Sequence, residues 1–275
     1  MSGRLPNLLI IGAMKSGTSS LHDYLNLHPD IYMSNPKEIH YYADGTYGVK
    51  SKEWYASFFE TDKKIAGTTP QSYTKCHNKY YKSIPERIFK DTPEVKLIYI
   101  VRDPIKRYAS HILESYHCDS QVDVNYSKVS GNYLKTSMYA MQLKAYLEYF
   151  DMEQIHILAL EELQDQPLRE LNSIFKFLGL HQMQDEQVFE FKTNMAETKG
   201  IPTVIKRKLI IRSVAKVSPS LAEKMASYWS AWFFKHLSEK PVIDEKEKEQ
   251  LKRELKDDIN EFRRLTHKSF EKWEI

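Results

Sequence analysis

The strongest constraint on this chain lies near its start, where Leu8-Leu9-Ile10-Ile11 runs into Gly12-Ala13-Met14-Lys15-Ser16-Gly17-Thr18-Ser19. A short unbroken apolar run is the pattern of a strand buried on both faces, as in a parallel sheet. From Thr18 to Leu27 the pattern becomes helical, with Leu21 and Leu25 at i, i+4. A strand, a glycine-bearing turn and a helix in succession suit an anion. The glycines allow close backbone approach, and successive N–H groups face the helix N-terminus, where the dipole favours negative charge. Lys15 adds a full charge, and Ser16, Thr18 and Ser19 add hydroxyl donors. The spacing is not that of the nucleotide triphosphatase loop, in which lysine directly follows the second glycine. Here Thr18 holds that place and Lys15 comes before Gly17. A strand–helix turn with an exposed lysine is the alternative reading of the same residues.

The rest of the chain extends the alternation. Lys64–Gly67, Lys96–Val101 (KLIYIV) and Gln154–Leu160 (QIHILAL) read as strands, and Ile31-Tyr32-Met33 is strand-like. Pro104 opens a helix at its first turn, where a missing N–H does no harm. That helix is expected to reach about Tyr116, and a polar surface loop is expected over Cys118–Asn132. Further helices are expected over Tyr133–Phe150 and over Leu168–Leu178, the latter closed by Gly179 as C-cap. Such alternation predicts one α/β domain over residues 1–275, with a central, mainly parallel sheet flanked by helices. Residues 181–243 are expected to form a lid or acceptor-side region, and 244–266 an amphipathic C-terminal helix carrying Leu251, Leu255, Ile259, Phe262 and Leu265. Trp229, Trp232, Phe233 and Phe234 are read first as core.

Composition narrows the function classes. The chain has 275 residues, 41% of them hydrophobic, enough for a single large core. Its 40 basic and 37 acidic residues leave a net charge of +3, too small a surplus to indicate a nucleic-acid partner. Cys76 and Cys118 alone make no disulfide framework and no zinc site, so a reducing compartment is expected and no metal. The run Leu8–Ile11 is too short for a signal segment or a membrane span, which leads to a cytoplasmic expectation.

A second anion element follows the KLIYIV strand: Val101-Arg102-Asp103-Pro104, with Arg107 and Ser110 downstream. Ligands of open α/β sheets sit outside the carboxyl ends of the strands, where Arg102 lies. Arg102 can fork onto a phosphate and Ser110 can donate to it. Asp103 reads as a helix cap. Arg107 reads as a structural ion pair with Asp103 at i−4.

Together these elements resemble the PAPS-dependent sulfotransferases (PAPS is 3'-phosphoadenosine 5'-phosphosulfate), with their P-loop-like fold. The closest likeness is to the heparan-sulfate-type branch and its stand-alone bacterial relatives. G-x-x-K-[ST]-G-T-[ST] resembles the family's 5'-phosphosulfate loop, and V-R-D-P-x-x-R-x-x-S its 3'-phosphate element. His28-Pro29-Asp30, Glu38-Ile39-His40-Tyr41-Tyr42, Thr69-Pro70-Gln71-Ser72-Tyr73, Ser137-Met138-Tyr139-Ala140, Phe177-Leu178-Gly179-Leu180 and Lys199-Gly200 extend the likeness along nearly the whole chain. Two positions depart from the pattern. Thr68 stands where several relatives carry lysine, and Ser137 where the usual residue is glycine.

The resemblance implies sulfuryl transfer from PAPS, as co-substrate, to an acceptor hydroxyl or amine, with a small-molecule metabolite as the expected acceptor and no metal. It assigns Lys15, Ser16, Gly17, Thr18 and Ser19 to the 5' end of the donor, Arg102 and Ser110 to its 3'-phosphate, and Tyr139, Lys199 and Gly200 to donor binding as well. Lys15 would also stabilise the leaving group. Glu38 is the expected general base, with His40 next. Two other readings stay open: a P-loop kinase, with Glu161 and Glu162 as its nearest metal-binding acids, and a non-catalytic nucleotide-binding module.

Overall fold

The computed structural model describes residues 3–118, 128, 131–184 and 243–275. In chain order its regular elements are β1 (Leu8–Gly12), α1 (Thr18–Leu25), β2 (Ile31–Met33), α2 (Lys52–Ala56), β3 (Ile65–Thr68), α3 (Ile84–Asp91), β4 (Lys96–Val101), α4 (Pro104–Cys118), α5 (Asn132–Ser137), α6 (Tyr139–Leu147), β5 (Ile155–Ala159), α7 (Leu160–Asp165), α8 (Pro167–Phe177) and α9 (Glu245–Thr266). The strands form one five-stranded sheet in the order β2-β3-β1-β4-β5. All its pairings are parallel.

Every residue of β1 is buried, because helices cover both faces of the sheet. Side chains alternate between the two faces. Leu8 and Ile10 join Leu21 and Leu25 of α1 and Leu171, Ile174 and Phe175 of α8. Leu9 and Ile11 join Tyr108 and Ile112 of α4, Leu143 of α6, and Leu255, Ile259 and Phe262 of α9. The apolar stripe of α9 is therefore a wall of the second layer, and its charged face is solvated.

The strand order places the site. From β1 the chain moves outward to β2, returns to β3 beside β1, then crosses to β4 and β5. The helices after β1 and β4 therefore cover opposite faces, and a crevice opens between the carboxyl ends of these adjacent strands. The β1–β4 register shifts between Ile10 and Gly12, where the glycine turn begins.

Several local expectations change in tertiary context. The expected helix over Tyr133–Phe150 is two helices, broken at Met138 (φ −80°, ψ 83°). The Ser137 hydroxyl donates to Pro104 O (2.9 Å) and accepts from Arg107 Nε (2.6 Å). The freed N-terminus of α6 is capped from α9, where Asp258 accepts from Ala140 N (3.0 Å) and Met141 N (2.8 Å). Helix α8 ends as expected: Gly179 takes φ 66°, Leu180 N donates to Phe175 O (2.8 Å) and Gly179 N to Lys176 O (3.0 Å). The expected lid region 181–243 lies almost wholly outside the described residues, and its aromatics Trp229, Trp232, Phe233 and Phe234 lie entirely outside them.

Candidate active site

The loop after β1 has the backbone of an anion nest. Lys15 and Gly17 both take positive φ, 70° and 83°. For lysine that conformation costs about 1–2 kcal/mol, a strain of the kind that clusters at functional sites. A side chain at Gly17 would be strained by its positive φ, and its Cβ would lie 2.5 Å from Leu160 Cδ1. Gly12, at φ 151°, is pressed on from the other side, where a Cβ would lie 2.0 Å from Thr74 Oγ1. Ser16 and Thr18 are buried under the loop and Ser19 is half-buried in the first turn of α1.

Lys15 Nζ does not hang free: it pairs with Glu114 Oε1 at 3.0 Å. Glu114 stands one helical turn beyond Ser110 on α4, so helical spacing alone puts it on the Ser110 face. Its second oxygen, Oε2, is buried and has no hydrogen-bond partner among the described residues.

Arg102 leaves the end of β4 half-buried, and its guanidinium reaches back toward Lys15 O at 3.5 Å. Its backbone is fixed by Tyr139, whose hydroxyl donates to Arg102 O at 2.7 Å. Tyr139 is fully buried, so it acts on the site through Arg102. Asp103 caps α4 as expected, accepting from Ile105 N (3.0 Å) and Lys106 N (2.8 Å). Its other oxygen receives Glu274 N at 2.6 Å.

Arg107 corrects the expected ion pair with Asp103. It is fully buried and holds Ser137, the Tyr133 carbonyl and His111 Nδ1, the last at 3.1 Å. The α4 backbone turns its side chain under the loop, and the cap had already claimed the Asp103 carboxylate. His111 is buried against Tyr133 and is a packing residue. Burial, and then the Arg107 charge, push its pKa far below the usual imidazole range.

Glu38 reaches the same crevice from the loop after β2. Gln71 bridges it to the phosphate loop: Gln71 Nε2 donates to Glu38 Oε1 (2.9 Å), and the Thr18 hydroxyl points at Gln71 Oε1 (3.4 Å). Glu38 Oε1 also pairs with Lys37 Nζ (2.8 Å), and Oε2 faces His40 Nε2 (3.3 Å). Burial alone would raise this carboxyl, but its hydrogen bonds to His40 and Lys37 and their charges outweigh that and hold it at about 2. Thr68, in the place of a lysine, donates to Lys37 O (3.1 Å), and Thr69 N donates to the same oxygen (3.0 Å). Below them the Tyr73 hydroxyl accepts from Tyr42 N (2.9 Å). The segment carrying Glu38 is thus fastened by the segment carrying Gln71. Sequence reasoning attached no role to Gln71, and only the fold shows its bridge.

Of the two acids read as candidates for a kinase-type metal, Glu161 is engaged by neighbouring groups: it accepts from Asp103 N (2.9 Å) and from Trp273 Nε1 (3.3 Å). Among the described residues no group of three His, Cys, Asp or Glu side chains converges as a metal site. Lys199 and Gly200 lie outside the described residues.

A conservative change tests the support under Arg102. Tyr139→Phe removes one buried donor and is expected to cost about 1–3 kcal/mol, read as a lower Tm. Adenosine 3',5'-bisphosphate should bind several-fold more weakly if that hydroxyl positions Arg102. Unchanged affinity for this probe would show that Tyr139 only packs.

Fold and site together define a parallel α/β domain with a phosphate-type loop and a second cationic element at its switch point. The family profile described as the sulfotransferase domain matches residues 5–274. The chain belongs to that family. Heparan sulfate glucosamine 3-O-sulfotransferase 5 of Mus musculus is 34% identical over 194 residues, which are 64% of this chain and 54% of that protein. Its Homo sapiens counterpart is 35% identical over 195 residues, with the same two shares, 64% and 54%. The match thus spans about half the length of these relatives. The crystal structure of a sulfotransferase from Alicyclobacillus acidocaldarius has a TM-score of 0.69 at 20% identity, covering 99% of this chain and 100% of that one. That likeness shows a shared fold.

Proposed function

We propose that this chain transfers a sulfuryl group from PAPS to an acceptor hydroxyl or amine. The observation that carries the reading is the meeting of Lys15 and Arg102 across the crevice between β1 and β4. A donor with phosphates on both the 3' and the 5' oxygen of its ribose needs two cationic elements, and the residues fit it. Lys15, Ser16, Gly17, Thr18 and Ser19 would hold the 5' end, and Arg102 and Ser110 the 3'-phosphate. Tyr139 would position Arg102, and Lys199 and Gly200 would add to donor binding. In the transfer the acceptor oxygen attacks sulfur opposite the leaving 5'-phosphate oxygen. The acceptor proton passes to Glu38, or to His40 beside it. The charge gained by the leaving phosphate falls on Lys15. No step requires a metal in this scheme.

The small-molecule acceptor is kept as the first proposal, with a cytoplasmic setting. The heparan sulfate named in the relatives favours a second, a glucosaminyl glycan. Labelled PAPS offered to hydroxylated metabolites and to N-sulfated heparosan oligosaccharides, with products read by mass, separates the two. Product from neither acceptor class, in a protein that binds the donor, would favour a non-catalytic module. For the donor itself, adenosine 3',5'-bisphosphate is expected to raise Tm by mass action and to bind far more tightly than ATP. Arg102→Ala should abolish most of that preference. Equal binding of the two nucleotides, or Mg²⁺-dependent ATP turnover, would overturn the assignment.

A further inference from the structure

Lys75 is a charged residue of this region that the scheme above leaves without a task. It sits on the turn after Tyr73, between two anchored neighbours. Thr74 N donates to Ile11 O at 3.0 Å, docking the turn on the end of β1, and Cys76 N donates to Gln142 Oε1 at 2.8 Å. Thr74 also presses on Gly12 at the root of the phosphate loop. Lys75 is thereby held beneath the loop, with only 9% of its surface exposed. Its charged neighbours are Arg107 and Glu114 of α4 and Glu38, while His77 and His111 feel its charge in turn.

Both neighbouring acids are already engaged, Glu114 by Lys15 and Glu38 by Lys37 and His40. Among the described residues the Lys75 ammonium makes no hydrogen bond or ion pair. An ammonium on so buried a side chain is desolvated, and without a partner that is costly. Those neighbours put it within electrostatic reach both of Glu38, the carboxylate that would take the acceptor proton, and of Glu114, the partner of Lys15. The group that passes between those two points is the sulfuryl group, and it is anionic.

We propose that Lys75 is a further catalytic residue, an ammonium that contacts the sulfuryl oxygens of bound PAPS. The inference rests on the donor reading above. It assigns to Lys75 the one part of PAPS that adenosine 3',5'-bisphosphate lacks. Burial first, and then the Arg107 charge, bring the Lys75 ammonium down to about 8, against the pull of Glu114 and Glu38. Its charge is therefore present at pH 7 and is lost as pH rises through about 8.

The test needs no acceptor. PAPS and adenosine 3',5'-bisphosphate are each titrated at pH 7 into the wild-type chain, Lys75→Met and Lys75→Arg. A charge-assisted contact supports an expectation of tenfold or greater loss of PAPS affinity in Lys75→Met, with affinity for the bisphosphate within about twofold of wild type. Lys75→Arg should recover most of the loss. A second arm uses only the wild-type chain. Its preference for PAPS over the bisphosphate should fall between pH 7 and pH 9, the window that spans the Lys75 value of about 8. Equal weakening of both nucleotides in Lys75→Met, unchanged binding of both, or a pH-independent wild-type preference would overturn the assignment. A wild-type chain that bound neither nucleotide would instead refute the donor reading itself.

Discussion

Lys15→Ala is expected to lower kcat by roughly 10²–10³ at saturating PAPS, the usual cost of removing one well-placed charge-stabilising donor. Charge on the leaving phosphate grows only as the S–O bond breaks, so the lysine is worth most in the transition state. Lys15 is paired with Glu114, and on the proposed scheme that contact opens when the phosphosulfate binds. Two effects of the substitution therefore need separating. Loss of the ammonium weakens the transition state, and it also leaves the Glu114 carboxylate, with one buried oxygen already unpartnered, facing an anionic donor. Adding Glu114→Gln to Lys15→Ala removes the second effect. The double variant should bind the donor better than the single one while its kcat stays low. If saturating PAPS restores the single variant's rate to the wild-type value, the leaving-group role is wrong.

The second large effect is expected at Glu38. Glu38→Gln preserves shape and the reach to Gln71 but cannot take a proton. For a hydroxyl acceptor it should reduce kcat by roughly 10²-fold or more, with donor affinity nearly unchanged. The free carboxyl lies at about 2 because its bonds to His40 and Lys37 outweigh burial, so it is ionised throughout the working range. Two pH consequences follow. First, Glu38 gives kcat/KM no acid limb between pH 5 and pH 7, a window well above its value of about 2; a limb there belongs to another group. Second, a carboxyl held below its ordinary value stabilises the fold above the unfolded-state pKa. That contribution fades as pH falls from the ordinary carboxylate range through about 2. The Tm gap between wild type and Glu38→Gln should narrow over that descent. His40→Asn should cost less than Glu38→Gln. A near-wild-type Glu38→Gln beside an inactive His40→Asn would move the base to His40, and activity in both would remove the base role from either side chain.

Much of this molecule was legible before its fold was known. LLII, KLIYIV and the IHILA of QIHILAL lie in the sheet because runs of β-branched and large apolar residues bury well on two faces. The glycine turn after β1, the Asp103 cap and the Gly179 C-cap are likewise local. Each depends on the backbone torsions and donors of its own few residues. The order of the motifs was enough to place Lys15 and Arg102 just past the ends of two strands.

What the sequence by itself determined, then, is the layered parallel fold, the phosphate-type loop with Lys15, and the position of Arg102. What only the tertiary structure decided is how the charges are paired. Arg107 passes Asp103 by to hold Ser137 and the Tyr133 carbonyl; Lys15 finds Glu114; Gln71 ties Glu38 to Thr18; Asp258 caps a helix more than a hundred residues before it. The physical reason is one of range. Periodicity and capping act over one or two turns of chain, whereas a buried charge takes whichever partner the fold brings within about 3 Å. Nothing in the neighbourhood of Thr74-Lys75-Cys76 marks Lys75 as special; the end of β1 closing over that turn does.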